Sequence, residues 1–186
     1  MPFLTTDLPG LLIFEPAVFQ DDRGFFFESY NEQAFFKQGL DMRFVQDNQS
    51  FSKYGVIRGL HYQLDPHAQT KLVRVLQGKI LDVAVDIRKG SPTYGKSMSI
   101  ELSADNRRQL LIPKGFAHGF SVLSPSAEVL YKCDAFYDKA SEAGILFNDP
   151  ALDIDWGLPP DKLILSGKDM QLPVFSASGN NFEFKG

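Results

Sequence analysis

Apolar and polar residues alternate along most of this chain, and a period of two is the signature of strands rather than helices. Lys79 to Arg88 shows it best, with Leu81, Val83, Val85 and Ile87 on one face and Asp82, Asp86 and Arg88 on the other. That pattern predicts a half-buried strand. Similar runs predict strands at Leu11–Phe19, Phe25–Tyr30, Arg43–Gln49, Ile57–Gln63, Lys71–Gln77, Met98–Leu102, Gln109–Ile112, Gly119–Leu123 and Val129–Phe136. Turn chemistry separates several of them, at Asp21-Asp22-Arg23-Gly24, Gln77-Gly78, Lys89-Gly90-Ser91-Pro92 and Pro113-Lys114-Gly115. Only Glu32–Gln38 reads as a helix, with a further turn near Pro159–Lys162. The expected fold is all-β, a sandwich or barrel with minor short helices, in one domain over residues 1–186. The tail from Leu172 to Gly186 is the least patterned stretch and reads as an appendage or an oligomer contact.

The function classes narrow from charge and cysteine usage. A net charge of −4 argues against a protein that coats nucleic acid, so any anionic ligand must be met by local cations. The one cysteine, Cys133, cannot form an intramolecular disulfide, and no Cys/His spacing reads as a zinc site, which fits a reducing cytoplasm. No run approaches the ~18 apolar residues of a membrane span, and no signal peptide is expected. With 17 Phe and 6 Tyr, the chain has aromatic faces on which a ring can stack.

Of the 3 histidines, His61 and His118 stand out by their settings, Gly55-Val-Ile-Arg-Gly-Leu-His61-Tyr-Gln63 and Pro113-Lys-Gly115-Phe-Ala-His118, whereas His67 reads as a loop residue. Imidazole suits proton transfer near neutrality. The two segments resemble the motifs of the cupin superfamily, G-x5-H-x-H followed by Glu and x6-G, then P-x-G-x-x-H. His61 and His118 keep two of the four ligand positions; Gln63 and Lys71 stand where the second His and the Glu would be. An ammonium repels a divalent cation that a carboxylate would bind, so no metal and no other cofactor is expected. Lys71 is instead suited to stabilising a developing oxyanion.

A more specific resemblance runs through Asp22-Arg23-Gly24-Phe-Phe-Phe-Glu28-Ser29, Val45-Gln46-Asp47-Asn48, Ile57-Arg58-Gly59-Leu60-His61-Tyr62-Gln63, Lys71-Leu-Val-Arg74, Phe116-Ala-His118-Gly119-Phe120, Tyr131-Lys132, Asn148-Asp149-Pro150 and Leu165-Ser-Gly-Lys168-Asp169. Over roughly residues 10–170 the chain resembles the dTDP-4-dehydrorhamnose 3,5-epimerase family. The resemblance implies a cupin-type jelly-roll, or double-stranded β-barrel. It implies a cofactor-independent isomerase that converts dTDP-4-dehydro-6-deoxy-D-glucose into dTDP-4-dehydro-L-rhamnose by inverting C3 and C5. His61 matches the family's base, Asp169 the carboxylate that orients it, Lys71 the cation beside the enolate and Tyr131 the acid. Arg23, Arg58 and Lys168 match the diphosphate-binding cations, and Gln46, Asp47, Asn48, Glu28, His118 and Glu142 match contacts to nucleotide or sugar. Phe26, within Phe25–Phe27, matches a ring that stacks on thymine. The family also implies a homodimer with an N-terminal strand added to the partner's sheet.

Other readings stay open at this level. His118 either touches the sugar or ties down a turn; Lys71 alone reads as a solvated charge and Tyr131 as a barrel-filling aromatic. Asp82 and Asp86 read as a solvated strand face without a catalytic role. The loop Tyr137-Asp138-Lys139-Ala140-Ser141-Glu142 lacks the family's Pro, which puts Glu142 in doubt. By alternation, His61 shares a face with Gly59 and Gln63, and Tyr131 can meet it in one lumen. Epimerisation at C3 or C5 alone, a non-catalytic nucleotide-sugar-binding cupin, and a metal-dependent cupin dioxygenase are the competing functions.

Overall fold

The computed structural model describes residues 3–185. Thirteen strands form in chain order: β1 (Phe3–Thr5), β2 (Leu12–Phe14), β3 (Val18–Asp21), β4 (Gly24–Phe27), β5 (Gln46–Lys53), β6 (Ile57–Gln63), β7 (Lys71–Gln77), β8 (Lys79–Asp86), β9 (Ser97–Ser103), β10 (Gln109–Ile112), β11 (Phe116–Val122), β12 (Ser126–Cys133) and β13 (Glu142–Gly144). The single α-helix among the described residues, α1 (Glu32–Phe36), starts where Asn31 accepts the Ala34 N–H at 3.1 Å, as an N-cap should. A 3-10 turn at Pro160–Lys162 stands where the sequence predicts one. The expected Leu11–Phe19 strand is two, β2 and β3, and the short β1 and β13 had no signal of their own.

Two antiparallel sheets make the barrel. One runs β1-β2-β10-β7-β12-β5 and the other β13-β6-β11-β8-β9, while β3 and β4 form a separate hairpin. This is the jelly-roll architecture expected of a double-stranded β-barrel. Its interior is filled by Val73, Val75, Ile80, Ala84, Leu102, Leu110, Phe116, Phe120, Val122 and Val129.

Both outer faces are covered as well. Phe35 of α1 packs on Phe14, Leu72 and Leu111 outside the first sheet. A buried Phe of this kind contributes about 1.5–3 kcal/mol. Outside the second sheet, Leu152, Trp156 and Phe182 from the C-terminal segment pack on Ile57, Leu60, Tyr62, Val83 and Val85. The solvated face expected for β8 is therefore wrong: Asp82 and Asp86 are both fully buried inside the barrel. Ile80 and Ala84 lie on the same face as these carboxylates, and such a nearly continuous apolar run marks a strand covered on both sides.

The C-terminal tail is no loose appendage. Tyr62 Oη donates to the Ser178 carbonyl at 2.8 Å, Asn181 exchanges hydrogen bonds with the Asp65 backbone, and Phe182 is buried. The chain preceding it carries the 3-10 turn Asp169–Gln171, which packs against β6.

Candidate active site

β6 would present Arg58 and His61 to opposite sides if it alternated regularly. The pairing with β11 instead sets His118 opposite His61 and Phe120 opposite Arg58, so one extra residue is accommodated on β6 between them. Gly59 takes up that bulge with φ of 126°, and a Cβ there would sit 2.5 Å from the Gly119 Cα. Arg58 and His61 then face the same cavity, a correction to simple alternation.

That cavity, of about 460 Å³, lies between the sheets. His61 and His118 come from the five-stranded sheet, Lys71 and Tyr131 from the six-stranded one, and Lys168 and Asp169 from the segment packed on β6. Phe120, Ile164 and Leu165 supply apolar wall. A second cavity of about 320 Å³ shares His61, Lys71 and Tyr131 and is lined otherwise by Gln46, Asn48, Gln63, Gln69, Tyr137 and Glu142. The ion pair between Lys168 and Glu142, 2.6 Å long, joins a residue of the first cavity to one of the second.

His61 Nε2 lies 2.7 Å from Asp169 Oδ1, and the Asp169 side chain is only 6% exposed. Burial works to raise the Asp169 carboxyl, but the hydrogen bond and charge of His61, with help from Ser166 and the Gly59 backbone, hold it below its ordinary value. An ionised Asp169 fixes the ring proton on Nε2 and leaves Nδ1 as the free base.

Across the cavity, burial pushes the Lys71 ammonium below its ordinary range, opposed by charge at Cys133, Asp82 and Glu142. Its Nζ lies 5.8 Å from the centre of the Tyr131 ring. Burial, with charge at Cys133, raises the Tyr131 hydroxyl while the Arg58 charge lowers it; the net shift is upward, so the phenol keeps its proton near neutrality. A base, a buried cation and a phenolic acid thus surround one space. Glu142 is held below its ordinary value chiefly by the Lys168 hydrogen bond, and Lys168 is raised by the same contact.

The cupin ligand positions do not fit a divalent cation. Gln63 spends its side chain on backbone, donating to the His67 carbonyl at 2.6 Å and accepting the Asp138 N–H at 2.7 Å. Lys71 brings positive charge, and His118 Nε2 is engaged by Asp82 Oδ1 at 2.8 Å.

Of the other sequence-predicted residues, Gln46, Asn48, Arg58, His118, Glu142 and Lys168 line one cavity or the other. Asp47 alternates outward and pairs with Lys132 at 3.0 Å. Arg23 and Phe26 sit on the exposed β3–β4 hairpin, where Arg23 pairs with Asp21, and Glu28 accepts from Asn31. Gln69, Tyr137 and Ser50 are among the lining residues to which sequence reasoning assigned no role. Tyr137 is placed by contacts no local pattern encodes: its N–H donates to Gln46 Oε1 and its hydroxyl to Glu142.

A histidine-carboxylate pair facing a lysine and a tyrosine across a jelly-roll barrel is a donor and acceptor set suited to an isomerase of the proton-transfer class. The chain belongs to the dTDP-4-dehydrorhamnose 3,5-epimerase family, whose sequence profile matches residues 5–177. A dTDP-4-dehydrorhamnose 3,5-epimerase of Shigella flexneri is 55% identical over 171 residues, covering 91% of this chain and 93% of that protein. The crystal structure of dTDP-4-dehydrorhamnose 3,5-epimerase from Elizabethkingia anophelis NUHP1 superposes with a TM-score of 0.92 at 52% identity, covering 95% of this chain and 97% of that one. That of dTDP-6-deoxy-D-glucose-3,5-epimerase from Legionella pneumophila Philadelphia 1, in complex with dTDP-4-keto-L-rhamnose, gives 0.95 at 45% identity, covering 100% and 99%.

Proposed function

We propose that this chain inverts C3 and C5 of dTDP-4-dehydro-6-deoxy-D-glucose to give dTDP-4-dehydro-L-rhamnose. The observation that carries the reading is the placement of His61 on one sheet and of Tyr131 and Lys71 on the facing one, all lining a single cavity. Inversion needs acceptor and donor on opposite sides of an enolate plane; one histidine alone would only exchange the proton.

Hydrogens on C3 and C5 flank the C4 ketone and are acidic for that reason. His61 Nδ1 takes the proton, Asp169 accepts from Nε2–H and balances the imidazolium, and the electron pair moves onto O4 beside the Lys71 ammonium. Tyr131 then protonates carbon from the other face. Each inversion leaves His61 protonated and Tyr131 ionised, and both reset by exchange with solvent before the second carbon reacts. Arg58 and Lys168 offer cations to the diphosphate, and Gln46, Asn48, His118 and Glu142 offer polar contacts to sugar and base.

Arg23, Phe26 and Glu28 reach a substrate, on this reading, from the hairpin of a second protomer. Phe19 and Phe26 are 67% and 69% exposed there, more apolar surface than a monomer's hairpin usually carries, which supports a homodimer. The setting we infer is the cytoplasm, where nucleotide sugars and a reduced, buried Cys133 both fit. No helix among the described residues is long and apolar enough to cross a membrane.

Incubating the protein with the 4-keto-6-deoxy nucleotide sugar in D₂O should bring deuterium into both C3 and C5. Exchange at one carbon only would reassign the chain to single-site epimerisation, and exchange at neither would remove the catalytic reading.

A further inference from the structure

Asp82 is a buried carboxylate that the mechanism above leaves unused, and unlike Asp86 it has an oxygen without a partner among the described residues. It lies on β8 with no exposed surface, on the interior face it shares with Ile80 and Ala84. One oxygen meets His118 Nε2 at 2.8 Å; the other, Oδ2, is buried with no hydrogen-bond partner among the described residues. A half-satisfied buried carboxylate is costly, and such groups persist where they serve a site.

Lys71 faces the same interior. Around it stand Tyr131 and Cys133 from β12, Asp82 from β8, Glu142 from β13, and, across the cavity, His61 from β6 and His118 from β11. Glu142 is already paired with Lys168, and Cys133 is a buried thiol whose protonated form burial favours. Asp82 is the carboxylate of this set with an unpartnered oxygen, and its effect on Lys71 is to favour the ammonium. In the 2.8 Å contact an N–H on His118 Nε2 donates to Asp82 Oδ1, which turns Nδ1 away from the carboxylate.

We propose that Asp82 is a positioning residue for the epimerisation: from inside the barrel its carboxylate holds the His118 ring and sets the field in the cavity where Lys71 meets the enolate. The proposal rests on the epimerase reading. It assigns the unpartnered oxygen a purpose, which is to supply field rather than a hydrogen bond.

The test is Asp82→Asn, which keeps shape and removes charge. Deuterium wash-in and kcat are followed against pH beside the wild type. Affinity for dTDP should stay within about twofold, because the diphosphate contacts are elsewhere, while kcat falls on the order of 10- to 100-fold. Without the carboxylate Lys71 loses its proton more readily, so the alkaline limb of kcat should move to lower pH. Wild-type kcat in the variant, or a lowered kcat with the alkaline limb unmoved, overturns the proposal, the second outcome marking a merely structural carboxylate. If the wild type washes in no deuterium, the epimerase reading and this proposal fall together; if only the variant is unchanged, this proposal falls alone. Should Asp82→Asn fail to fold, ¹⁵N spectra of the wild-type histidines decide. A neutral His118 protonated on Nε2 is expected, and one protonated on Nδ1 overturns the proposal.

Discussion

Asp82 and Asp86 stand four residues apart on β8, roughly 13 Å along the strand, and both are fully buried. Asp86 is saturated. Arg88 reaches it through its backbone N–H at 3.0 Å, Nε at 2.9 Å and Nη2 at 2.7 Å, while Ser91 and Thr93 hydroxyls donate at 2.6 and 2.7 Å. Arg88 in turn lies over the rings of Phe116 and Phe184 and donates to the Pro9 carbonyl, tying both ends of the chain to the barrel. Asp82 has one hydrogen bond, to the cavity residue His118, and one bare oxygen. The contrast teaches how one strand serves two ends: a fully paired carboxylate fastens the fold, and an underpaired one shapes the electrostatics of a site.

The sharpest way to separate the two regions begins at the cavity. His61→Ala should lower kcat on the order of 10⁴-fold, with deuterium entry lost at both carbons and little change in Tm. Measured wash-in with an unchanged rate would mean that the base is another residue.

Asp86→Ala should do the reverse. It strands the buried Arg88, so we expect about 3–5 kcal/mol of lost stability in urea unfolding, with kcat per folded molecule unchanged. Acid gives a second reading of the same fastening. Burial works to raise the Asp86 carboxyl, but its bonds to Arg88, Ser91 and Thr93 hold it below its ordinary value. A carboxyl lowered in the folded state contributes stability that is fully present above its unfolded pKa of about 3.9 and is lost as pH falls through the folded value. Tm of the wild type should therefore drop below about pH 4, and Asp86→Asn should flatten that part of the slope; a slope unaltered in the variant would assign acid sensitivity elsewhere.

The smallest effect on the fold belongs to the ion pair that spans the cavities. Lys168 is 60% exposed, so Lys168→Gln should cost less than about 1 kcal/mol of stability. Affinity for dTDP should nonetheless fall about tenfold if the freed ammonium meets phosphate, and calorimetric titration would show it.

How much of this was legible beforehand differs by element. Strands β6, β7, β8 and β10 could be read from alternation, and the family resemblance of short motifs singles out His61, Lys71, Tyr131 and Asp169, because alternation and motifs are local properties. Tyr137 could not, since its place depends on Gln46 and Glu142, which are far away in sequence or on another strand.

What the sequence by itself determined was the β architecture, the family and the identities of four groups that line the cavity, His61, Lys71, Tyr131 and Asp169: a strand's period and a residue's type need no neighbour to be read. Only the tertiary structure decided which faces are wet. Alternation made Asp82 and Asp86 look solvated, and the C-terminal segment, by covering the outer face of β8, turned the other face into the barrel interior. It also decided that Arg58 and His61 look the same way, because the bulge at Gly59 exists only in register with β11. Burial and register are properties of two segments at once, and a strand carries no record of its partner.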